Sequence, residues 1–187
     1  MKSFPTLTTE RLILRPFVPA DAADVQRLAG DREIAAGTLT IPHPYPDGAA
    51  EEWMGKHQAW LDEERELVLA ITVRETGELA GTMGLMLKLA HDKAELGYWI
   101  GVPFWGRGYA TEAAAELMRY GFEHWSLHRI EALHFSRNPA SGKVMQKLGM
   151  RHEGKLREDV KKDGEYLDIE VYGVLRREFA MAGFTRN

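Results

Sequence analysis

The chain has 187 residues, with 24 Lys and Arg against 28 Asp and Glu, a formal charge of −4, and no cysteine. This length fits one domain, residues 1–187, with a core of its own, and 44% hydrophobic and 28% charged residues describe an ordinary globular chain. The absence of cysteine excludes a disulfide framework, a thiolate nucleophile, an acyl-cysteine intermediate and Cys-ligated zinc, while the mildly acidic balance argues against direct nucleic-acid binding. Met1–Glu10 is polar and carries Pro5, unlike a signal peptide, and no apolar run approaches the ~18 residues of a membrane helix. The expected compartment is the cytoplasm, with no membrane partner.

Arg11–Pro16 alternates Leu12 and Leu14 with Arg11, Ile13 and Arg15, which suits a strand, and Pro19 and Asp21 open a helical stretch through Ala29. Thr40–Pro46 contains three prolines and is irregular. Asp47 is the expected N-cap of a helix running to about Glu64, with Trp53, Trp60 and Leu61 on one face. Leu67–Val73 and Leu79–Leu89 predict a hairpin about Glu75–Glu78, and Lys93–Ile100 a further strand. Ala113, Ala114, Leu117, Met118, Gly121 and Phe122 recur at helical spacing. Arg129–Phe135 predicts a strand, Pro139–Leu148 a helix stopped by Gly149, and Arg151–Val160 with Tyr166–Leu175 a hairpin about Asp163-Gly164. The order implies a mixed sheet with helices, an α/β sandwich.

Ile100–Ala115 (IGVPFWGRGYATEAAA) joins a strand, a glycine-bearing turn and an Ala-rich helix. Glycines permit a tight turn whose N–H groups face an anion at the positive end of a helix. Gly106, Gly108 and the amides of Arg107, Tyr109 and Ala110 suit a pyrophosphate. The Walker pattern fails, because Gly142-Lys143 is followed by Val144 and Arg137 stands where the first glycine belongs. The dinucleotide pattern is partial, with Thr111 replacing the third glycine and Glu131 at the acidic position. A nicotinamide-dependent oxidoreductase and a plain structural turn both remain open on this loop alone.

Trp105–Ala113 (WGRGYATEA) resembles the acetyl-CoA pyrophosphate loop of the GNAT superfamily of N-acetyltransferases, in the branch of RimJ/RimL-type ribosomal-protein acetyltransferases. Trp105, Gly108 and Ala110 fall on the superfamily's Q/R-x-x-G-x-G/A positions, with Trp105 departing from the general pattern in the manner of this branch. Further matches are TERLILRPF (Thr9–Phe17), IPHPY (Ile41–Tyr45), AELGYWI (Ala94–Ile100), NPASGKVMQKLGM (Asn138–Met150) and DGEYLDIEVYGVL (Asp163–Leu175), in the expected order. The resemblance implies a GNAT fold with a mixed sheet of about seven strands flanked by helices. It also implies acetyl-CoA as cosubstrate, no metal, an amine acceptor that is a protein N-terminus or a small molecule, and a homodimer as one assembly.

Acetyl transfer from a thioester needs a base for the amine, an N–H donor for the carbonyl oxygen and an acid for the leaving thiolate, but no enzyme nucleophile. The resemblance points to Glu95 as base, with Glu158 and Glu165 as less favoured substitutes. A solvated strand carboxylate is the competing reading of Glu95. The resemblance further implies that the strand of Glu95 splays from its neighbour. Tyr98 and Ile100 then bind the pantetheine arm through their backbones, and Trp105, Gly106, Arg107, Gly108, Tyr109, Ala110 and Thr111 hold the pyrophosphate. Asn138-Pro139 starts a helix by its own capping chemistry, and by resemblance Asn138 also binds pantetheine while Ser141 lies near the sulfur as acid. Tyr109 is not an obvious replacement acid. His43, Tyr45 and Trp53 are expected at the acceptor pocket, although a rigid connection between helices explains the proline segment equally. A non-catalytic acyl-CoA-binding module stays open beside the enzyme. His124, His128 and His134 lack a zinc-site carboxylate pattern, and Lys161-Lys162 and Arg176-Arg177 are expected as solvated edge charges.

Overall fold

The computed structural model describes residues 1–181. Its strands are β1 (Leu7–Thr8), β2 (Leu12–Arg15), β3 (Glu66–Val73), β4 (Leu79–Lys88), β5 (Lys93–Ile100), β6 (Arg129–Phe135), β7 (Arg151–Lys162) and β8 (Glu165–Leu175). Its helices are α1 (Ala22–Ala29), α2 (Arg32–Gly37), α3 (Ala49–Met54), α4 (His57–Asp62), α5 (Tyr109–His124), α6 (Pro139–Lys147) and α7 (Arg176–Met181). The strands form one sheet in the order β1-β2-β3-β4-β5-β6-β8-β7, antiparallel except for β5 beside β6. This is the expected mixed α/β sheet with one strand more than seven. The addition is Leu7–Thr8, two residues paired with Ile13 and Leu14, too short to show an alternation of its own.

Leu67–Thr72 of β3 and Leu79–Leu85 of β4 are buried at every residue, so both faces of the sheet centre are covered. The apolar stripe of α5 is buried as its spacing predicts. Gly121 lets the helix approach the sheet: a Cβ there would lie 2.7 Å from Leu85 Cδ1. The β7–β8 hairpin closes through Asp163 and Gly164, whose φ values of 49° and 88° are the two left-handed positions of a tight hairpin turn.

Three expectations require correction. The helix expected from Asp47 to Glu64 is two short helices, α3 and α4, broken about Gly55-Lys56, and the residue capping α3 is Gly48 at φ 78°. Helix α2 occupies a stretch with no expected element; Asp31 caps it by accepting a hydrogen bond from the Glu33 N–H. Lys162 is not a solvated edge charge but is buried, because three carbonyls from the segment around α2 surround its ammonium. Lys161, Arg176 and Arg177 are exposed as expected.

Candidate active site

β5 and β6 pair only from Lys93–Leu96 to Arg129–Ala132. Beyond Leu96, β5 stays with β4 as far as Ile100, while β6 stays with β8 as far as Phe135. The two strands therefore diverge, leaving the β6-facing backbone of Gly97–Ile100 without a ladder partner. A cavity of about 750 Å³ opens at the divergence. Residues 95–99 and 133–135 form its walls, together with the loop 38–42, Trp53, Trp60 and Ser141.

The glycine loop follows the far end of β5, outside the cavity walls. Gly106 and Gly108 adopt φ values of 75° and 80°, a left-handed conformation that side chains resist, and Gly108 caps α5. The 16-residue α5 thus presents its free N–H groups and positive dipole end at this loop. Arg107 is exposed, Tyr109 buried, and Ala110 and Thr111 lie half-buried in the first helical turn. The loop is braced by the TERL segment: Thr9 Oγ1 and the Arg11 N–H donate to Glu112 Oε1 at 2.6 and 2.8 Å. Arg11 Nε donates to Glu112 Oε2 at 2.7 Å and its Nη1 to the Arg107 carbonyl at 2.9 Å. The Trp105 indole N–H donates to the Ile100 carbonyl, so that acceptor is already engaged.

Cross-strand register places Glu66, Met86, Glu95 and Glu131 in one row, and directly opposed residues share a face. Glu131 pairs with Lys88, Lys93 and Arg129; burial pushes its carboxyl up, but Lys93 and Lys88 outweigh this and hold it below the usual range. Glu95 lines the cavity and accepts from Lys88 Nζ at 3.2 Å. Glu158 and Glu165, the alternative carboxylates, are not on its walls; the Glu158 N–H donates to Asp168, and Glu165 pairs with Arg137 at 3.3 Å. Glu66, unnoticed in the sequence, lines the cavity, and its carboxylate makes no hydrogen bond or ion pair among the described residues. Burial pushes its carboxyl up, opposed by Arg65 and reinforced by the charge of Glu95.

Tyr98 and Ser141 both line the cavity. The Tyr98 hydroxyl is buried beside Ser141 without a hydrogen bond of acceptable geometry. Burial pushes its pKa above the ordinary phenol value, and the neighbouring serine partly offsets this. Asn138 caps α6: its Oδ1 accepts from the Ser141 N–H at 3.4 Å, and its Nδ2 donates to Ser141 Oγ at 3.2 Å. The capping explanation of Asn138 is therefore present in the fold, and the same residue orients Ser141.

On the opposite wall, Tyr45 and Trp53 line the cavity, whereas His43 does not. His43 is exposed and its Nδ1 donates to the Gly30 carbonyl at 3.2 Å. Behind this wall His57 is buried among Phe17, Trp53 and Trp60, with ring centroids 5.3, 4.3 and 5.5 Å away. Its Nε2 is unpartnered, and burial lowers the imidazole pKa to about 4. His124 stacks on Tyr120, and among the described residues no group of three or more His, Asp and Glu could hold a metal ion.

The buried unpartnered phenol, the half-unpaired strand and the glycine-capped helix fit an elongated ligand with amide groups and an anionic end. The comparisons agree. The model of the acetyltransferase (GNAT) domain matches residues 11–151. The uncharacterized N-acetyltransferase p20 of Bacillus licheniformis is 34% identical over 176 residues, 94% of this chain and 98% of the relative. The solved structure of Mycobacterium smegmatis RimJ in complex with CoA-disulfide is 26% identical with a TM-score of 0.84, covering 95% of this chain and 92% of that one. RimL, the ribosomal L7/L12 alpha-N-protein acetyltransferase in complex with coenzyme A, shares the fold at TM-score 0.84 and 16% identity, over 91% of this chain and 98% of that one. With its diverging strands leading into a helix-capping glycine loop, the chain belongs to the GNAT acetyltransferase family and is an acetyl-CoA-dependent N-acetyltransferase.

Proposed function

We propose that the acceptor is the α-amine of a protein N-terminus and that Glu95 takes the proton the amine must lose before it attacks. The observation that carries this reading is the cavity at the β5–β6 divergence, which holds Glu95 on the strand that leads into the glycine loop. Its mouth also suits a peptide: Leu39, Ile41, Trp53 and Trp60 supply apolar and aromatic surface, and Leu39 is 47% exposed. The resemblance of Trp105–Ala113 to the RimJ/RimL-type branch of ribosomal-protein acetyltransferases supports the same acceptor class.

The residues divide the work along β5. Gly106, Arg107, Gly108, Tyr109, Ala110 and Thr111 receive the pyrophosphate, with Trp105 closing the strand end. Tyr98 offers its unpaired backbone, and Asn138 its side-chain amide, to the pantetheine arm. The Ile100 carbonyl is held by Trp105, which leaves Tyr98 as the principal backbone partner. The amine nitrogen attacks the thioester carbon, the C–S bond breaks, and the Ser141 hydroxyl gives its proton to the departing sulfur while taking up the proton the nitrogen sheds on becoming an amide. Tyr45 and Trp53 contact the acceptor.

The test is thiol release from acetyl-CoA with peptides beginning in Ala, Ser or Met, compared with spermidine and free amino acids. Peptides should turn over with the highest kcat/KM, and Glu95→Gln should lower kcat by about a hundredfold with acetyl-CoA affinity retained. Turnover confined to the small amines would overturn the acceptor assignment.

A further inference from the structure

Lys162 ends β7 beside the hairpin turn, where a lysine ordinarily reaches into water. Instead its residue is 9% exposed, and its ammonium donates to the carbonyls of Ala35, Thr38 and Ile41 at 2.7, 2.5 and 2.8 Å. An ammonium has three N–H donors, so all three are used. No carboxylate forms an ion pair with it among the described residues; Asp163 and Arg137 are the charged groups that influence it. A buried cation without an anion persists only when its hydrogen bonds are complete. These carbonyls come from the last turn of α2 and the irregular chain after it, where a helix end leaves acceptors unsatisfied. The segment 35–41 is thereby wrapped around a side chain 121 to 127 residues away. Arg137 adds a second tie, donating to the Ala36 carbonyl at 3.4 Å while pairing with Glu165 on β8.

Both bodies joined by Lys162 are walls of the active-site cavity. Residues 38–42 line one side, and Asp159, Val160 and Ile169 of the β7–β8 hairpin line another. Neither β5 nor the glycine loop takes part. We propose that Lys162 is a positioning residue for the acceptor: its ammonium fixes the 38–42 wall against the hairpin and so sets the shape of the acceptor entrance. This rests on the reading of that entrance as the acceptor side of the site. The wall has little else to hold it: apart from the bonds of Thr38 to the Ile34 and Ala35 carbonyls, Thr38–Pro42 makes no regular secondary structure and ends in a proline without a donor. Loss of the ammonium leaves the Thr38 and Ile41 carbonyls without a donor and that of Ala35 with only the Thr38 N–H at 3.4 Å, and the segment moves to find water.

The experiment compares wild type with Lys162→Met by hydrogen exchange of peptides covering 35–42 and 93–110, and by KM for acetyl-CoA and for whichever amine the thiol-release panel identifies. Exchange at 35–42 should rise about tenfold while 93–110 is unchanged, and the amine KM should rise about tenfold with the acetyl-CoA KM within twofold. Lys162→Arg keeps the charge but spreads its donors over a rigid plane, and should loosen the same segment, so the idea remains testable if the methionine variant does not fold. Unchanged exchange at 35–42, or an equal rise in both KM values, overturns the proposal. A wild type that acetylates no amine counts against the transferase reading instead, and the exchange comparison still decides whether Lys162 fixes the wall.

Discussion

Arg11 and Glu112 stand 101 residues apart in sequence and meet through two hydrogen bonds, Arg11 N–H to Oε1 and Nε to Oε2. The pair joins the entry to β2 to the first turn of α5, and the same guanidinium reaches the Arg107 carbonyl inside the glycine loop. A negative side chain in the first turn of a helix is locally stabilising but would repel an anionic ligand there. Arg11 neutralises it and holds the loop at once.

Glu112→Ala should therefore weaken acetyl-CoA binding about tenfold and lower stability by about 2 kcal/mol, the scale of lost charge-assisted hydrogen bonds. The contacts with Thr9 and Arg11 overcome burial and hold its carboxyl below the usual range. A depressed carboxyl stabilises the fold above its unfolded pKa of 4.5 and loses that contribution as pH falls through the folded value. The gap in melting temperature between wild type and variant should narrow below pH 4.5; a constant gap would show that packing, not charge, is what was removed.

Glu66 predicts the opposite sign. Its carboxyl is raised by burial and by Glu95, so the native state binds the proton more tightly than the unfolded chain, and stability falls as pH climbs above 4.5. Glu66→Gln should raise the melting temperature at pH 7 by about 2–4 °C and match wild type near pH 4. It should also lower turnover, because a side chain that costs stability while lining the cavity is retained for the ligand. A lower melting temperature at pH 7 would mean that Glu66 is paired within the fold.

Tyr98→Phe separates two sources of the leaving-group proton. The phenol is buried beside Ser141 with no partner of its own, so its removal leaves no protein group unsatisfied. If Ser141 acts alone, the variant should gain stability slightly and keep kcat within about threefold, since burying an unpaired hydroxyl is costly. A loss of a hundredfold or more in kcat, with KM values unchanged, would make the phenol part of the proton path.

Much of this arrangement is written locally. Lys93–Ile100 and Arg129–Phe135 alternate strongly enough that their limits in the sequence are those of β5 and β6, and the glycine loop announces its strand–turn–helix setting by composition. What escaped depends on contacts across long separations. Lys162 reads as solvent-facing until the turn 35–41 closes over it, and nothing local singles out Glu66 until the cavity opens beside it. The division of the expected helix after Asp47 is a tertiary override of a pattern continuous in apolar spacing, with Gly55 as the weak point. His43, drawn into the acceptor pocket by its proline-rich neighbours, instead faces solvent because Gly30 offers its ring a carbonyl there.

His57 ties the Trp53 wall of the cavity to pH. It is buried among three aromatic rings, and its imidazole is held neutral down to about pH 4, against 6.5 when unfolded. Between those values the unfolded chain binds a proton that the native state refuses, so stability is lost as pH falls from 6.5 toward 4, at up to about 1.4 kcal/mol per pH unit. His57→Phe fills the same space without a proton site. Its advantage over wild type in unfolding free energy, from denaturant titrations, should grow by about 3 kcal/mol between pH 6.5 and pH 4, and stay constant above pH 6.5. Trp53 links this stability to function, since it packs on His57 and also lines the cavity. Tryptophan fluorescence should therefore report loosening of the Trp53 wall of the cavity in wild type before global unfolding, and a coincident transition by both probes would show that His57 acts on the whole fold and not on that wall.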